Sequence, residues 1–278
     1  MTTPRQLLPR LLAETPFQPA TSWWRAIELA AVVKHGLPPG EGLDLGCGDG
    51  KLMRIVLDAA ASRASLVGVD IDALETRDAL ASGVYRRVHT TSADRIPEPD
   101  AAFDFVFSNS VLEHIDELEP VVAEVRRLLR PGGRFLFTVP ATGFHECLAG
   151  ALFPWVPRQR YLEIIDQRCA HRRYWNEQDW RACLARHGIE LVHAQRYLTG
   201  AEVRRWETLS RFTAGMLYTL TGGRMQPIEI QRSLRLRSAR LRLPHATAAA
   251  LSALISTGVR AEAVPRFGCL LIEGRRDA

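Results

Sequence analysis

Short apolar runs alternate with longer stretches whose apolar residues recur every three or four positions. From Gly42 onward this alternation predicts repeated strand–helix units and a mainly parallel sheet. The first strand reads G-L-D-L and runs into D-L-G-C-G-D-G, Asp44 to Gly50, followed by a helix with Leu52, Ile55 and Val56 on one face. L-V-G-V-D, Leu66 to Asp70, is the second expected strand, with a helix after it through Leu80 to Gly83. Val84 to Val88 and Phe103 to Phe107 are the third and fourth. Asp116 is expected to cap the next helix, with Glu119 three residues on and Pro120 in the tolerant first turn. Leu118, Val121, Val122, Val125, Leu128 and Leu129 then share a face at helical spacing. Pro131-Gly132-Gly133 stops that helix and leads to a fifth strand, Arg134 to Val139.

Beyond Pro140 the pattern breaks into a segment rich in aromatics and prolines (Phe144, Phe153, Pro154, Trp155, Pro157, Tyr161), which reads as a lid or pocket wall. A helix restarts at a capping Asn176, with Trp175 and Trp180 spaced as a hydrophobic staple and Gly188 at its end. Ile189 to Leu198 is the sixth strand and Phe267 to Glu273 the last. Between them lies a largely helical insertion in which Val203, Trp206, Thr213, Met216, Leu217 and Leu220 repeat at helical spacing. The expected fold is α/β: a Rossmann-like, doubly wound, mainly parallel seven-stranded sheet with helical insertions. The expected segments are an N-terminal helical stretch 1–40, a core 41–140, a lid 141–175, a core helix and strand 176–198, a helical cap 199–265 and the last core strand 266–278.

With 278 residues, 46% hydrophobic and 24% charged, the chain is long enough for a buried core and far from the composition of disordered proteins. The net charge of +5 rests almost wholly on arginine, since Lys34 and Lys51 are the only lysines. Residues 201–243 hold nine Arg and three Glu, a surplus of +6 that leaves the remainder near neutral. Five cysteines without a C-x-x-C pair suggest neither a disulfide framework nor a thiolate zinc site, and a reducing cytoplasm is expected. No segment reads as a secretory signal or a membrane-spanning helix. No cluster of His, Asp and Glu has metal-ligand spacing, so no metal is expected.

A parallel α/β sheet binds ligands beyond the carboxyl ends of its strands, at the switch point beside the first strand, where Gly46, Gly48 and Gly50 fall. Glycine permits the tight turn and lets a ligand approach the backbone. A tight connection without a ligand is the plain alternative. The spacing is G-x-G-x-G rather than the dinucleotide G-x-G-x-x-G, and Asp44 stands two positions before the first glycine. A pyrophosphate is disfavoured beside that carboxylate, whereas a cationic ligand is favoured. Asp70 can accept from both ribose hydroxyls of an adenosine, and Asp94, in S-A-D-R-I, from an adenine amino group. Either acid could instead be a solvated loop residue.

The chain resembles the class I S-adenosylmethionine-dependent methyltransferases, in the broad group that includes the ubiquinone-biosynthesis O-methyltransferases. The resemblance rests on D-L-G-C-G-D-G, V-G-V-D, S-A-D, F-D-F-V-F-S-N-S-V-L-E-H-I and L-L-R-P-G-G-R-F-L-F-T-V-P, in that order over residues 42–140. It implies S-adenosylmethionine as cofactor, with Asp44 and the backbone of Gly46, Cys47, Gly48 and Gly50 holding the methionine end. It further implies Asp70 at the ribose, Ile71 on the adenine face, Asp94 at the adenine edge and Asn109 lining the methionine side.

An oxygen acceptor needs its proton removed, and His114, in L-E-H-I after the fourth strand, is the candidate base, ahead of His145 and His171. Packing or capping the following helix is its alternative role. S-N-S-V in place of an N-P-P-Y type run disfavours DNA as substrate. The insertions, placed over the pocket mouth by their flanking strands, suggest a small-molecule or lipid-linked acceptor with an apolar body and an anionic part. The alternative is that Phe153, Trp155 and Trp206 are the insertions' own core. The arginine-rich 232–242 stretch and the apolar helix near Ala248 to Ile255 are candidates for membrane-surface contact. A nicotinamide-dependent oxidoreductase and a non-catalytic S-adenosylmethionine-binding protein stay open as other functions.

Overall fold

The computed structural model describes residues 2–216, 242–259 and 262–278. Seven strands form one sheet in the order β3-β2-β1-β4-β5-β7-β6. They are β1 (Glu41–Leu45), β2 (Ser65–Asp70), β3 (Arg87–Thr90), β4 (Phe103–Asn109), β5 (Leu129–Pro140), β6 (Ile189–Thr199) and β7 (Phe267–Arg276). The first five run parallel, and β7 pairs antiparallel with β5. β1 pairs with both β2 and β4, so the strand order reverses beside it and the switch point lies at the β1 tip. β4 reads F-D-F-V-F-S-N, a nearly continuous apolar run, because helices cover both faces of a parallel sheet; Phe103, Phe105, Val106 and Phe107 are all buried.

The chain divides into two compact units, one holding the sheet (residues 31–141, 173–196 and 269–278) and one gathering residues 1–30, 142–172 and 197–268. In the sheet unit, α3 (Lys51–Ala60), α4 (Ala73–Ser82), α5 (Leu118–Leu128) and α8 (Glu177–Arg186) flank the strands. Val121, Val122, Val125 and Leu128 of α5 and Trp180, Cys183 and Leu184 of α8 join the strand residues in one apolar core. Asn176 caps α8 in a reciprocal capping box, and Trp175 meets Trp180 edge-on at 4.9 Å, as the staple spacing predicts.

Four local expectations are corrected. The third strand is Arg87–Thr90 rather than Val84–Val88, because Tyr85 turns inward and the pairing begins only at Val67↔Arg87. Asp116 does not cap α5; Glu117 precedes the helix without a side-chain cap bond, and Arg173 donates to the Asp116 carbonyl at 2.9 Å, fixing the turn from outside. On α3 it is Met53, with Ile55 and Val56, that is buried, and Leu52 is only half-buried. α5 stops at Leu128, ahead of Pro131; Leu129 pairs with Phe103 and Arg134 with Phe105, so residues 130–133 form a bulge within β5.

The other unit contains α1 (Pro4–Glu14), α6 (Gly143–Cys147), α7 (Arg158–Cys169), α9 (Gly200–Ser210) and α10 (His245–Ser256), and α2 (Pro19–His35) contributes Trp24 to it. Trp24, Phe144 and Trp206 form a buried trio with ring centroids 5.2, 5.4 and 5.5 Å apart. Trp206 is therefore core, whereas Phe153 and Trp155 stack at 4.8 Å and stay exposed, Trp155 by 74%. α10 packs on α1, burying Ala248, Ser252 and Ile255 in the same unit as Leu7, Leu8, Leu11 and Leu12. That face of the apolar helix is taken by its own unit and is not a membrane-facing surface. Leu217, Leu220 and the arginine-rich stretch before Arg242 lie outside the described residues; Arg242 itself pairs with Glu14 at 3.1 Å. Among the described residues, no helix is long and apolar enough to cross a membrane.

Candidate active site

The turn from β1 into α3 runs through three glycines in the left-handed region, Gly46 at φ +79°, Gly48 at +53° and Gly50 at +78°. The protein itself requires the outer two. A Cβ on Gly46 would lie 2.3 Å from Val111 Cγ2, and one on Gly50 would lie 3.0 Å from the Tyr85 ring. Gly48 differs, since its nearest neighbour would be Glu75 Oε2 at 3.8 Å, leaving the backbone open to an incoming group. Gly46 and Cys47 donate their N–H groups to the Val69 carbonyl at 2.8 and 2.9 Å, locking the turn to β2. Gly48 N–H donates to Asp70 Oδ2 and Asp72 N–H to Asp70 Oδ1, both at 3.0 Å. Asp70 is thus held at the β2 tip by one backbone donor per oxygen, each oxygen keeping a further lone pair for a ligand.

Asp44 is buried beneath the turn and accepts from the Tyr85 hydroxyl at 2.5 Å. Burial, opposed by that hydrogen bond and reinforced by the Asp70 charge, pushes its carboxyl up to about 7. Burial, with Asp44 and Asp70 nearby, pushes the Cys47 thiol well up, so it is no nucleophile at neutral pH. Burial and the Asp44 charge likewise raise Tyr85. Asp49 pairs with Lys51 at 2.7 Å, and Glu75 reaches in from α4, itself buried. Four carboxylates against one lysine make a negatively charged crevice, which favours a cationic ligand and repels a pyrophosphate.

Ile71 follows Asp70 with 78% exposure, and Leu74 is exposed on the first turn of α4, giving an apolar surface at the β2 tip. Asn109, half-buried, ends β4. Ser110 after it has φ +50°, a strained conformation held by its N–H donating to both the Thr138 carbonyl and hydroxyl at 3.1 Å. Val111 then touches Gly46, so the β4 tip abuts the glycine turn. His114 is exposed in the short 3₁₀ turn Leu112–His114, its Nε2 3.9 Å from Glu113 Oε1. Asp94 is exposed in the loop after β3, and a hydrogen bond from the Ser92 side chain holds its carboxyl below the usual range. His145 and His171 belong to the other unit, where His145 meets Asp166 at 2.8 Å and His171 lies edge-on to Trp24 and Phe144. Tyr85 and Glu75 escaped the sequence reading. No local pattern marks them, because Tyr85 reaches Asp44 across 41 positions.

Residues 43–137, the stretch that carries this turn and both neighbouring strand tips, match the family model of a methyltransferase domain. Residues 43–137 are thus a methyltransferase domain. The methyltransferase domain is similar to malonyl-(acyl-carrier protein) O-methyltransferase of Geobacter sulfurreducens, at 32% identity over 59% of this chain and 61% of that protein. It is also similar to the ubiquinone biosynthesis O-methyltransferase of Rhizobium etli strain CFN 42, at 32% identity over 46% of this chain and 56% of that protein. The chain thus matches about three-fifths of these relatives' length or less. Among solved structures, geranyl diphosphate methyltransferase in complex with SAM superposes with a TM-score of 0.54 at 14% identity, covering 93% of this chain and 90% of that one. The cyclase SpnF gives a TM-score of 0.56 at 17% identity over 99% and 97%. At such identities the likeness is one of fold, and a cyclase among the neighbours shows that the methyltransferase fold alone does not fix the reaction.

Proposed function

We propose that the chain transfers a methyl group from S-adenosylmethionine to an oxygen of a small-molecule or lipid-linked acceptor. The observation that carries this reading is the acidic crevice of Asp44, Asp49, Asp70 and Glu75 around the open backbone of Gly48, suited to a ligand with an ammonium and a sulfonium. When bound, the cofactor supplies a methyl group activated by positive sulfur. The residues do the rest by holding and orienting. Asp44 and the Gly46–Gly50 backbone take the methionine end, with Asn109 beside it. Asp70, preset by its two backbone donors, accepts from the ribose hydroxyls. Ile71 covers the adenine face, and Asp94 receives the adenine edge. His114, exposed at the β4 tip, takes the acceptor's proton.

Oxygen as the receiving atom is supported by the relatives named as O-methyltransferases. The acceptor's character is supported by the unit of residues 1–30, 142–172 and 197–268, which carries 18 arginines against nine acidic residues, while the sheet unit has 18 basic against 22 acidic. Its exposed Leu152, Phe153 and Trp155 suit an apolar body, and the arginine surplus suits an anionic part. Membrane-surface contact through residues 232–242 belongs to the same proposal. An oxidoreductase reading is opposed by the crevice's charge, and a non-catalytic cofactor binder differs only in turnover.

Thermal denaturation separates these readings. S-adenosylhomocysteine at about 100 times its dissociation constant should add about 2.7 kcal/mol of stability, with NAD giving no shift. Asp70→Ala should abolish most of that gain. A shift with NAD and none with S-adenosylhomocysteine would overturn the proposal, and labelled methyl donor offered to cell extract should yield a methylated product whose mass identifies the acceptor.

A further inference from the structure

We propose that Tyr85 is a positioning residue for cofactor capture: it fixes Asp44 as the anion that receives the cofactor's ammonium group, so that binding drives a proton off Asp44 into solvent. This rests on the methyltransferase reading of the crevice. The geometry is specific. The Tyr85 ring is buried in a slot between the glycine turn and β2, within 3.0 Å of the Cβ position of Gly50 and 3.2 Å of that of Gly68. A Cβ at Gly50 would crowd the ring together with Ser82 Oγ at 3.0 Å, and one at Gly68 would crowd it together with Cys47 Sγ at 2.9 Å, so both glycines leave room for the tyrosine. From there its hydroxyl donates to Asp44 Oδ2, the only hydrogen bond that Asp44's side chain receives among the described residues.

The charges that act on this pair are acidic. Asp70 stands at the β2 tip, Cys47 and Asp49 lie in the turn and Glu75 reaches in from α4, while Lys51 is engaged by Asp49. Nothing inside the crevice neutralises Asp44, and burial holds its carboxyl at about 7. A cation arriving from outside reverses that balance. The step balances simply: protonated Asp44 plus an ammonium ligand gives the carboxylate–ammonium pair and one proton released to buffer. The Tyr85 hydroxyl stabilises the carboxylate form, so its loss moves the release to higher pH.

The test is calorimetric titration of the full chain with S-adenosylhomocysteine from pH 5.5 to 8.5, in two buffers of different ionisation enthalpy. Wild-type affinity should rise about tenfold per pH unit and level off near pH 7, with close to one proton released at the acid end. Tyr85→Phe should level off at higher pH, weakening binding about tenfold at pH 6.5 and converging on wild type at pH 8.5. Asp44→Asn should lose both the slope and most of the affinity. A purely structural tyrosine would lower affinity by one constant factor at all pH values, and that result would overturn the inference. So would wild-type binding without proton release, a measurement independent of how well the variant folds. Absence of binding at any pH would instead overturn the cofactor reading and this coupling with it.

Discussion

Both units bury carboxylates against tyrosines: Glu207 against Tyr161 and Glu28 against Tyr197 in one, and Asp44 against Tyr85 in the other; Glu207 and Asp44 make the sharpest contrast. Glu207 is met on all sides. It accepts from the backbone of Ala149 at 2.8 Å and Gly150 at 3.1 Å, from the Tyr161 hydroxyl, and from Arg211 at 2.9 Å. The pairing ties α9 to the loop after α6. Asp44 has one hydroxyl and an acidic neighbour. A buried charge with its donors complete is a fastener, and one left short of positive charge is a receptor for it.

The comparison breaks if the two residues respond alike. The largest effect is expected at Glu207→Ala, which takes the carboxylate from Arg211 and strands two backbone N–H groups and should lower the unfolding free energy by about 3–4 kcal/mol in urea titrations. Asp44→Asn should not lower stability yet should weaken S-adenosylhomocysteine binding at least a hundredfold in calorimetry, about 2.7 kcal/mol. A sharper contrast comes from pH. Because the folded Asp44 carboxyl sits near 7, above its unfolded value of about 4, the native state holds an extra proton between those limits. Its contribution to ligand-free stability therefore falls as pH rises from about 4 to 7 and is flat beyond. Relative to wild type, Asp44→Asn should gain stability across that window by a few kcal/mol, read from urea unfolding at pH 5 and pH 8; a constant difference would deny the burial penalty. The smallest effect is expected at His114→Ala, a turnover loss of about tenfold or more with S-adenosylhomocysteine affinity kept within about twofold. Unchanged turnover would remove the histidine from the proton's path.

The strand–helix alternation, the glycine turn and the acids at the β1 and β2 ends were legible because each is a local statement. A period, a left-handed turn and a strand tip are written in consecutive residues. Tyr85 was not, since its use depends on gaps left by Gly50 and Gly68, and the inward turn that creates the contact also delays β3 past Val84. Asp116 failed as a cap for a similar reason: Arg173, 57 positions away, fixes that turn. No local pattern marks Glu207, because only the fold brings Ala149, Gly150 and Tyr161 to it. His114 and Asp94 lie at exposed positions, where local pattern and packing alike leave a role undecided until a ligand supplies it.

The position of β7 bears on synthesis. It lies inside the sheet between β5 and β6, yet 67 residues separate the end of β6 from its start. While those residues leave the ribosome, β5, with Phe135, Leu136 and Phe137, has an open edge towards β6. A growing chain thus carries a sticky, half-built sheet through that interval, a window in which chaperones could engage it and aggregation could begin. Losing the final strand would split the sheet from within, so a truncation this far along the sequence should be as damaging as one near its middle.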